Sequence, residues 1–474
     1  MSLYRQARSL PKQFRLVLAS FLQQPGLPFA DALTEEAIHA AFDDEGATFA
    51  DDEDAVYTPA ITLWAFLSQV LFKDEQRSCV AAVARVIVLL VALERGPCSS
   101  NTGAYCRARS KLSETVIRRL AIDLADGCER QLDESQLWHG RHVRLVDGTT
   151  VSMPDTPENQ EAYPQAHTQK KGLGFPVARV VVLLSLATGM LTDMAMGPYL
   201  GKETGETALL RSLLGRFKQG DILLGDRYFC SYFMIALLME LNVDFVSRVH
   251  QLRTVDFRRG RRLGNGDHIV EWKLPQKPKW MDQPTYDRMP ASIEVREVHV
   301  RVSEAGFRTE SFVVVTTLTD AATYPKRDIA QLYHYRWQAE LDIRAIKINM
   351  GMDILRCKTP EMVRREMWAC LLAYNLIRQT MLQSARKAGV SPRALSFTAA
   401  MQSIAASWLV IVLSDTALSS LLIDAASASL AKHLVGNRPG RVEPRAIKRR
   451  PKPHDLLTKP RDQARAELIG GKTR

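Results

Sequence analysis

A nearly unbroken run of β-branched and apolar residues from Val177 to Ala187 constrains the fold of this chain more than any other feature. Successive side chains of a strand point to opposite faces, so such a run predicts a strand buried on both sides in the middle of a sheet. The residues from Met190 to Pro198 can pair with it as a hairpin through Thr188 and Gly189. The chain must therefore contain a sheet on which other elements pack.

Further strands and helices alternate around this hairpin. Val143-Arg-Leu-Val-Asp147 predicts a short strand that ends at Asp147, and Asp221–Asp226 predicts a second buried strand. Helices are predicted for residues 204–219 and 228–242, and a strand for residues 244–249. This order of elements, β-β-β-α-β-α-β, predicts an α/β fold with a mixed sheet and crossover helices.

The flanking segments have different patterns, which divide the chain into six units. Residues 250–321 show strand alternation and turn signals, which indicate β-hairpins inserted into the domain. Apolar residues at helical spacing predict helices at Leu33–Phe42, Pro59–Leu71, Cys79–Leu93, Ser113–Leu132 and from Lys326 to about Met350. We therefore predict a helical N-terminal domain (1–138), a core in two parts (139–249 and 322–385) around a β-rich insertion (250–321), a helical C-terminal region (386–432) and a basic extended tail (433–474).

Composition and termini narrow the class of protein. The chain has 474 residues and 46% hydrophobic content, which indicates a globular protein with a sizeable core. Its seven cysteines include no C-x-x-C pair, which favours a reducing compartment over a disulfide framework. The N-terminal sequence has no signal-peptide pattern, and the apolar run at Cys79–Leu93 is too short to span a membrane and contains Arg85. We therefore expect a cytoplasmic protein without a membrane partner.

Positive charge is concentrated at the C-terminus. The formal net charge is +11, and the segment from Lys432 to Arg474 holds thirteen Lys and Arg but only four Asp and Glu. This segment contains Lys448-Arg-Arg-Pro-Lys-Pro and is rich in proline, which predicts an extended arm attracted to phosphate backbones. A solubilising tail is the alternative interpretation.

Four chemically distinct side chains share one stripe of the helix predicted after Lys326. At about 100° per residue, Tyr333, Arg336, Glu340 and Lys347 project within an arc of roughly 60°. A carboxylate can hold a divalent cation, two cations can bind phosphate, and a phenol can stack on a base or sugar. This set suits chemistry on a polyanion, although an exposed charged helix is the alternative.

Two aspartates follow apolar strands and extend this set. Asp147 precedes Gly-Thr-Thr and Asp226 precedes Arg-Tyr-Phe, so both are predicted at the edge of the sheet where loops build sites. Either aspartate alone is a common cap of the next turn. Together with Glu340 they form a candidate trio of oxygen ligands for Mg²⁺ or Mn²⁺. Two such ions about 3.5–4 Å apart support phosphodiester cleavage and strand transfer.

These residues resemble the signature of a bacterial DDE transposase of the insertion-sequence-four family, Y-x-x-R-x-x-x-E-x-x-x-x-x-x-K. Tyr333, Arg336, Glu340 and Lys347 match its four fixed positions. The resemblance also covers Asp147-Gly-Thr, Gly225-Asp226-Arg and the β-rich insertion, and it extends from about residue 95 to the basic end of the chain.

The resemblance implies a ribonuclease-H-like catalytic core in which Asp147, Asp226 and Glu340 hold two Mg²⁺ ions, with Mn²⁺ as a substitute. It implies that Tyr333, Arg336 and Lys347 contact the transferred DNA end, that excision passes through a hairpin on the element end, and that cut-and-paste insertion follows. The implied partners are double-stranded DNA of the element ends and target, and a second copy of the chain in a synaptic homodimer. The implied location is the bacterial cytosol or nucleoid, with residues 1–138 as a candidate end-binding domain.

Other residues near the signature receive different interpretations. The hairpin-forming branch of the family stacks a tryptophan of the insertion on a flipped base, but Trp272 and Trp280 lie in no motif that aligns and are expected to pack in the core. Glu206, Asp342 and Arg344 are expected at the solvated surface. Two alternative functions remain: a ribonuclease-H-like nuclease without strand transfer, and a catalytically inactive DNA-binding protein derived from a transposase.

Overall fold

The computed structural model describes residues 55–71, 74–92, 96–301, 311–413, 416–435 and 456–471. The predicted helix at Leu33–Phe42 and the segment Lys448-Arg-Arg-Pro-Lys-Pro lie outside these residues. Four helices precede the sheet: α1 (Pro59–Leu71), α2 (Cys79–Ala92), α3 (Gly103–Arg109) and α4 (Glu114–Glu129). Three of them match predicted helices, and α4 begins where the Ser113 side chain accepts a hydrogen bond from the Val116 amide, as an N-cap does.

A sheet of nine strands, with order β3-β2-β1-β4-β5-β9-β8-β7-β6, forms the centre of the described structure. The strands are β1 (Val143–Ser152), β2 (Val177–Ser185), β3 (Leu191–Pro198), β4 (Ile222–Gly225), β5 (Asp244–Arg248), β6 (Arg261–Gly264), β7 (Asp267–Lys273), β8 (Ser292–Arg301) and β9 (Ser311–Thr316). The first three are antiparallel, whereas β1, β4 and β5 are parallel. This mixed arrangement is ribonuclease-H-like, as the sequence predicted.

The apolar run that constrains the fold is buried as expected. Strand β2 lies between β1 and β3, and the predicted hairpin with β3 is confirmed. Gly189 adopts a φ of +75° in its turn, a conformation that favours glycine. The predicted end of β1 at Asp147 is wrong, because β1 continues to Ser152 paired with β2.

Apolar side chains cover both faces of the sheet. One face, with Leu145, Val182 and Leu224, packs in a large core shared with the N-terminal helices and the long helix α11 (Pro360–Ala388). The opposite face packs under α6 (Glu206–Ser212) and α7 (Tyr232–Glu240), which are shorter than the predicted helices. Two short helices, α5 (Pro157–Ala162) and α8 (Gln283–Arg288), complete this part of the chain.

The inserted segment extends the core sheet. Strand β9 pairs with β5 at Val246 and Thr316, and β8, β7 and β6 follow it outward as antiparallel neighbours. The predicted β-hairpins are therefore present. They share a core with the central strands, because Trp272 and Val295 belong to the same buried cluster as Leu223 and Phe245.

The single helix predicted after Lys326 is interrupted twice. Helix α9 (Lys326–His334) ends before a tight turn, α10 (Trp337–Arg344) follows it, and residues Ala345–Asn349 form one turn of π-helix. At the first break the amides of Arg336 and Ala339 bond three residues back, to Tyr333 and Arg336, instead of four. Spacing alone cannot reveal such breaks, because the sequence there contains neither proline nor glycine.

The remaining helices are α12 (Phe397–Leu413), α13 (Thr416–Ala431) and α14 (Arg461–Gly471). Helix α14 lies in the predicted tail, so the expectation of an extended conformation is wrong for these residues. Among the described residues, no helix is both long and apolar enough to cross a lipid bilayer.

Candidate active site

Asp147 and Asp226 lie at one edge of the sheet because of the register between their strands. Strands β1 and β4 pair in parallel up to Leu145 and Leu224, and the same register two residues later places Asp147 opposite Asp226. Strand β4 ends at Gly225, so the sheet opens between the two aspartates. The carboxylate of Asp226 caps a 3₁₀ turn by accepting a hydrogen bond of 2.7 Å from the Tyr228 amide. Asp226 therefore caps the following turn, which is the alternative role that the sequence allows for a single aspartate.

Glu340 approaches this edge from helix α10, which packs on β1. Its carboxylate accepts a hydrogen bond of 2.6 Å from the Arg336 guanidinium, one turn earlier. Arg336 is mostly buried, with 22% of its side chain exposed, whereas Glu340 is 38% exposed. The stripe predicted from the sequence therefore carries an ion pair at its centre.

The electrostatic environment of Asp147 includes both other carboxylates. Its pKa is raised to about 6, mainly by burial and also by the negative charges of Asp226 and Glu340, while the Gly148 amide and Arg336 oppose the shift. Burial raises the pKa of the Tyr333 phenol, which also feels Arg336 and Asp226. Glu340, Tyr333 and Arg336 therefore belong to one electrostatic cluster with the two strand aspartates.

Lys347 is held against β1 by hydrogen bonds. Its ammonium donates to the Thr149 hydroxyl at 3.0 Å and to the Thr150 carbonyl at 2.9 Å. The π-helical turn that contains Lys347 makes these bonds between α10 and the strand that carries Asp147. Tyr333 is half-buried, and its ring lies 5.0 Å from that of Phe312.

Two further charged residues adjoin the site. The half-buried Glu206, the first residue of α6, lies over Gly148, where an added Cβ would be 2.3 Å from its Cδ. Burial raises the pKa of Glu206, and the Asp226 charge adds to this effect. The expectation of a solvated Glu206 is therefore wrong, and no sequence signal indicated which helix start would cover Gly148.

Arg248, the last residue of β5, is the second such residue. Strand β5 pairs with β4 up to Gly225 and Ser247, which places Arg248 beside Asp226. Its guanidinium lies 5.6 Å from the Phe312 ring centroid. The sequence did contain a signal for it, because a cation at the end of the predicted strand 244–249 belongs to the same sheet edge as Asp226.

Of the other predictions for residues near the site, one is wrong and three agree with the structure. Asp342 is fully buried between Arg378 and Arg393, so its predicted place at the surface is wrong, whereas Arg344 is exposed as predicted. Trp272 and Trp280 pack as expected. The Trp272 indole N–H donates a hydrogen bond of 3.2 Å to the Glu297 carboxylate. The guanidinium carbon of Arg211 lies 3.7 Å from the centroid of the Trp280 ring.

The three carboxylates have the chemistry that a divalent cation such as Mg²⁺ requires, but their side chains are too far apart to bind one together. Carboxylate oxygens are the ligands that Mg²⁺ and Mn²⁺ prefer, and the pKa of Asp147 is raised mainly by burial and to a smaller extent by the charges of Asp226 and Glu340. Within the described part of the chain, no three His, Cys, Asp or Glu side chains lie close enough to hold a metal ion. Glu340 is turned toward Arg336, so joining the two aspartates requires it to leave that ion pair.

The fold and this edge define a ribonuclease-H-like domain with three acidic residues and adjacent cations. The model of the transposase DDE domain family matches residues 138–376, and the chain belongs to this family, as a DDE transposase of the IS4 type. It is 30% identical over 316 residues to the transposase InsG for insertion sequence element IS4 of Escherichia coli K12, which covers 62% of this chain and 64% of InsG.

Two further similarities complete the comparison. InsZ of the same Escherichia coli strain is 34% identical over 145 residues, which covers 30% of this chain and 45% of InsZ. The chain thus spans less than two thirds of the length of these two relatives. A solved cryo-EM structure of a piggyBac transposase synaptic complex with hairpin DNA is similar over 92% of this chain and 88% of that chain, with 11% identity and a TM-score of 0.41.

Proposed function

We propose that this protein is a DNA transposase of an insertion sequence, which binds terminal inverted repeats and catalyses metal-dependent DNA cleavage and strand transfer. The observation that carries the proposal is the convergence of Asp147, Asp226 and Glu340 at one sheet edge beside Arg336. Membership of the DDE transposase family supports it, as does the name of InsG.

Asp147, Asp226 and Glu340 are the proposed ligands of two Mg²⁺ ions, for which Mn²⁺ can substitute. When bound, such ions activate the attacking oxygen and stabilise the leaving oxygen of a phosphodiester. Asp147 must be ionised to bind a cation, and a nearby positive charge lowers a carboxylate pKa. A bound cation would therefore lower the raised pKa of Asp147.

Arg336 is proposed to exchange partners during assembly of the site. In the structure its guanidinium donates a hydrogen bond of 2.6 Å to the Glu340 carboxylate and balances its charge. Once Glu340 turns toward the aspartates, Arg336 can form bidentate contacts with a phosphate of the transferred DNA end. Lys347 supplies a point charge for the same backbone, and the Tyr333 ring packs against the end.

The proposed partners are the element ends, the target DNA and a second copy of the chain in a synaptic homodimer. We infer a cut-and-paste reaction through a hairpin at the element end. Residues 1–138 are proposed to contribute to end binding, and the C-terminal segment from Lys432, with its thirteen Lys and Arg, adds nonspecific attraction to phosphates.

The test uses full-length protein, Mg²⁺ and a duplex that carries an element end. The parent protein should give hairpin and joined products, whereas Asp147→Ala and Glu340→Ala should bind the end but lower the cleavage rate by about 100-fold or more. Glu161→Ala serves as the control, because Glu161 is an exposed carboxylate of α5 outside the cluster. Equal cleavage by the parent and the two site variants contradicts the proposed ligands.

The products also separate the two alternative functions. Hydrolysed ends without hairpin or joined DNA support a nuclease without strand transfer. Binding without any cleavage by the parent supports an inactive DNA-binding protein. Unchanged hairpin formation by Arg336→Ala and Lys347→Ala contradicts their proposed contacts with the DNA end.

A further inference from the structure

Helix α10 carries a second acidic residue whose environment is opposite to that of Glu340. Asp342 is fully buried, and both of its carboxylate oxygens accept hydrogen bonds from Arg393, at 2.8 Å and 2.6 Å. One oxygen also accepts a hydrogen bond from Arg378. We refer to Asp342, Arg378 and Arg393 as the Asp342 clamp.

The clamp connects α10 to the hairpin between β2 and β3. Arg393 also donates to the backbone carbonyls of Ser185 at 2.6 Å and Leu186 at 2.9 Å. Arg378 donates to the Tyr374 hydroxyl at 2.8 Å, and that hydroxyl donates to the Gly189 carbonyl at 2.7 Å. The helix that carries Glu340 is thus anchored to the strand next to the one that carries Asp147.

The turn between β2 and β3 leaves room for both arginines because it contains Gly189. A Cβ at Gly189 would lie 3.0 Å from the Arg378 guanidinium carbon and 3.1 Å from an Arg393 nitrogen. Such contacts are tighter than most real Cβ contacts, and the φ of +75° already favours glycine. Gly189 therefore permits the two guanidinium groups to pass close to the turn.

Helix α10 is short, and its rotation is set by the contacts along it. A tight turn precedes it and a π-helical turn follows it, so its rotation is not simply that of a continuous helix from Lys326. Asp342 lies two residues after Glu340, about 200° around the helix. An anchor on the buried side therefore sets the direction in which Glu340 points.

Stability alone does not account for the clamp. Buried ion pairs are often replaced by apolar residues without loss of stability, because burying charges is costly. One nitrogen of Arg393 donates to both oxygens of Asp342, and Arg378 donates to one of them, so the carboxylate is held from two sides. Charge-assisted contacts of this kind restrict the orientation of Asp342, and with it the rotation of α10.

We propose that Asp342 is a positioning residue, which through Arg378 and Arg393 fixes the rotation of α10 and so keeps Glu340 on the side of the helix from which it can turn to join Asp147 and Asp226. The inference rests on the proposed function of the same site. It concerns the orientation of Glu340, and Asp342 itself touches neither substrate nor metal.

The test compares Asp342→Asn with a matched variant, Asp267→Asn, in the full-length protein. Asp267 is also buried and accepts two hydrogen bonds from a buried arginine, Arg296, at 2.8 Å and 2.6 Å, but it lies in the insertion. Both variants remove one buried carboxylate charge, from a cluster with two arginines in Asp342→Asn and from a pair with one arginine in Asp267→Asn. A merely structural role predicts equal effects.

We expect Asp342→Asn to lower the single-turnover rate of hairpin formation by about 10- to 100-fold and to raise the Mg²⁺ concentration for half-maximal rate. Its Kd for end DNA should stay within about two-fold of the parent value, and Asp342→Glu should recover part of the rate. Asp267→Asn should keep both the rate and the Mg²⁺ dependence. A folded Asp342→Asn protein with the parent rate, or an equal loss in Asp267→Asn, overturns the proposal.

A second variant and a second measurement test the proposal if the first experiment fails. If Asp342→Asn does not fold, Arg393→Lys is used instead. It retains the charge but cannot reach Asp342 and both the Ser185 and Leu186 carbonyls at once, and the same loss of rate or its absence decides. If the parent yields no DNA products, the proposed function fails, and Mn²⁺ binding measured by electron paramagnetic resonance decides on the clamp. Weaker binding by about 10-fold in Asp342→Asn, as in Glu340→Gln, supports the clamp, and parent-like binding overturns it.

Discussion

Asp147 shows how burial and neighbouring charge together set the pKa of a single residue. Its carboxylate accepts one hydrogen bond, of 2.8 Å from the Gly148 amide. That bond and Arg336 do not offset burial and the charges of Asp226 and Glu340, so its pKa is raised to about 6. Ionisation of Asp147 therefore costs folding free energy.

The raised pKa predicts a pH-dependent stability difference between the parent and Asp147→Asn. The folded state retains a proton that the unfolded chain loses near pH 4, so this carboxyl destabilises the fold progressively from about pH 4 to pH 6. In EDTA, Asp147→Asn should be more stable than the parent at pH 7, by about 1–3 kcal/mol, and equally stable near pH 4. Urea unfolding at both pH values measures this, and a gain at pH 4 that equals the gain at pH 7 contradicts it.

Gly148 leads to a second prediction at this scale. A Cβ at this position would lie 2.3 Å from the Glu206 Cδ, so Gly148→Ala must displace Glu206. We expect a loss of about 1–3 kcal/mol in the free energy of unfolding, as in other overpacked sites. Truncation in Glu206→Ala should restore most of this loss in the double variant.

Gly205→Ala is the matched control for Gly148→Ala. Gly205 is the residue before Glu206, has a φ of −70°, and nothing lies within 4 Å of its added Cβ. Denaturant unfolding should show little change for this variant. If Gly148→Ala is as stable as the parent, or if Glu206→Ala gives no recovery, the packing of Glu206 on Gly148 is not as described.

At the scale of secondary-structure elements, the interruptions around α10 give the site its form. The tight turn before α10 keeps Arg336 and Glu340 one turn apart, and the π-helical turn after it directs Lys347 to Thr149 and Thr150 of β1. π-helical turns are found frequently at functional sites. A continuous α-helix would rotate Lys347 relative to Glu340.

Lys347→Met tests the connection between the π-helical turn and β1. It keeps most of the side-chain volume but removes both hydrogen bonds, and we expect a loss of about 1 kcal/mol in the free energy of unfolding. Lys218→Met is the control, because Lys218 is exposed and carries the same charge. An equal change in both variants would mean that the charge, and not the hydrogen bonds to β1, accounts for the effect.

At the scale of the whole molecule, the β-rich insertion belongs to the core. Strand β9 continues the sheet from β5, and Trp272 of the insertion is buried with Phe245 of the core. Sequence periodicity correctly predicts strands in this segment. It does not predict their partners, because sheet register between distant strands depends on which edge the core leaves open.

Local sequence patterns indicated much of the candidate site. Asp147 and Asp226 each come directly after an apolar run of the sequence, and Glu340 belongs to a signature with four fixed positions, so all three were candidates before the fold was known. Their roles as metal ligands stay predictions. Asp342 was wrongly assigned to the surface, because its partners Arg378 and Arg393 are 36 and 51 residues away in the sequence.

The sequence by itself determined the class of this protein: its DDE transposase family, its mixed sheet and the residue types at the site. Only the tertiary structure decided that Glu340 pairs with Arg336, that Glu206 covers Gly148, and that Asp342 is buried. The physical reason is the distance along the sequence over which each property is determined. Strand and helix patterns arise from neighbours along the chain, whereas burial, ion pairing and pKa shifts depend on groups that only folding brings together.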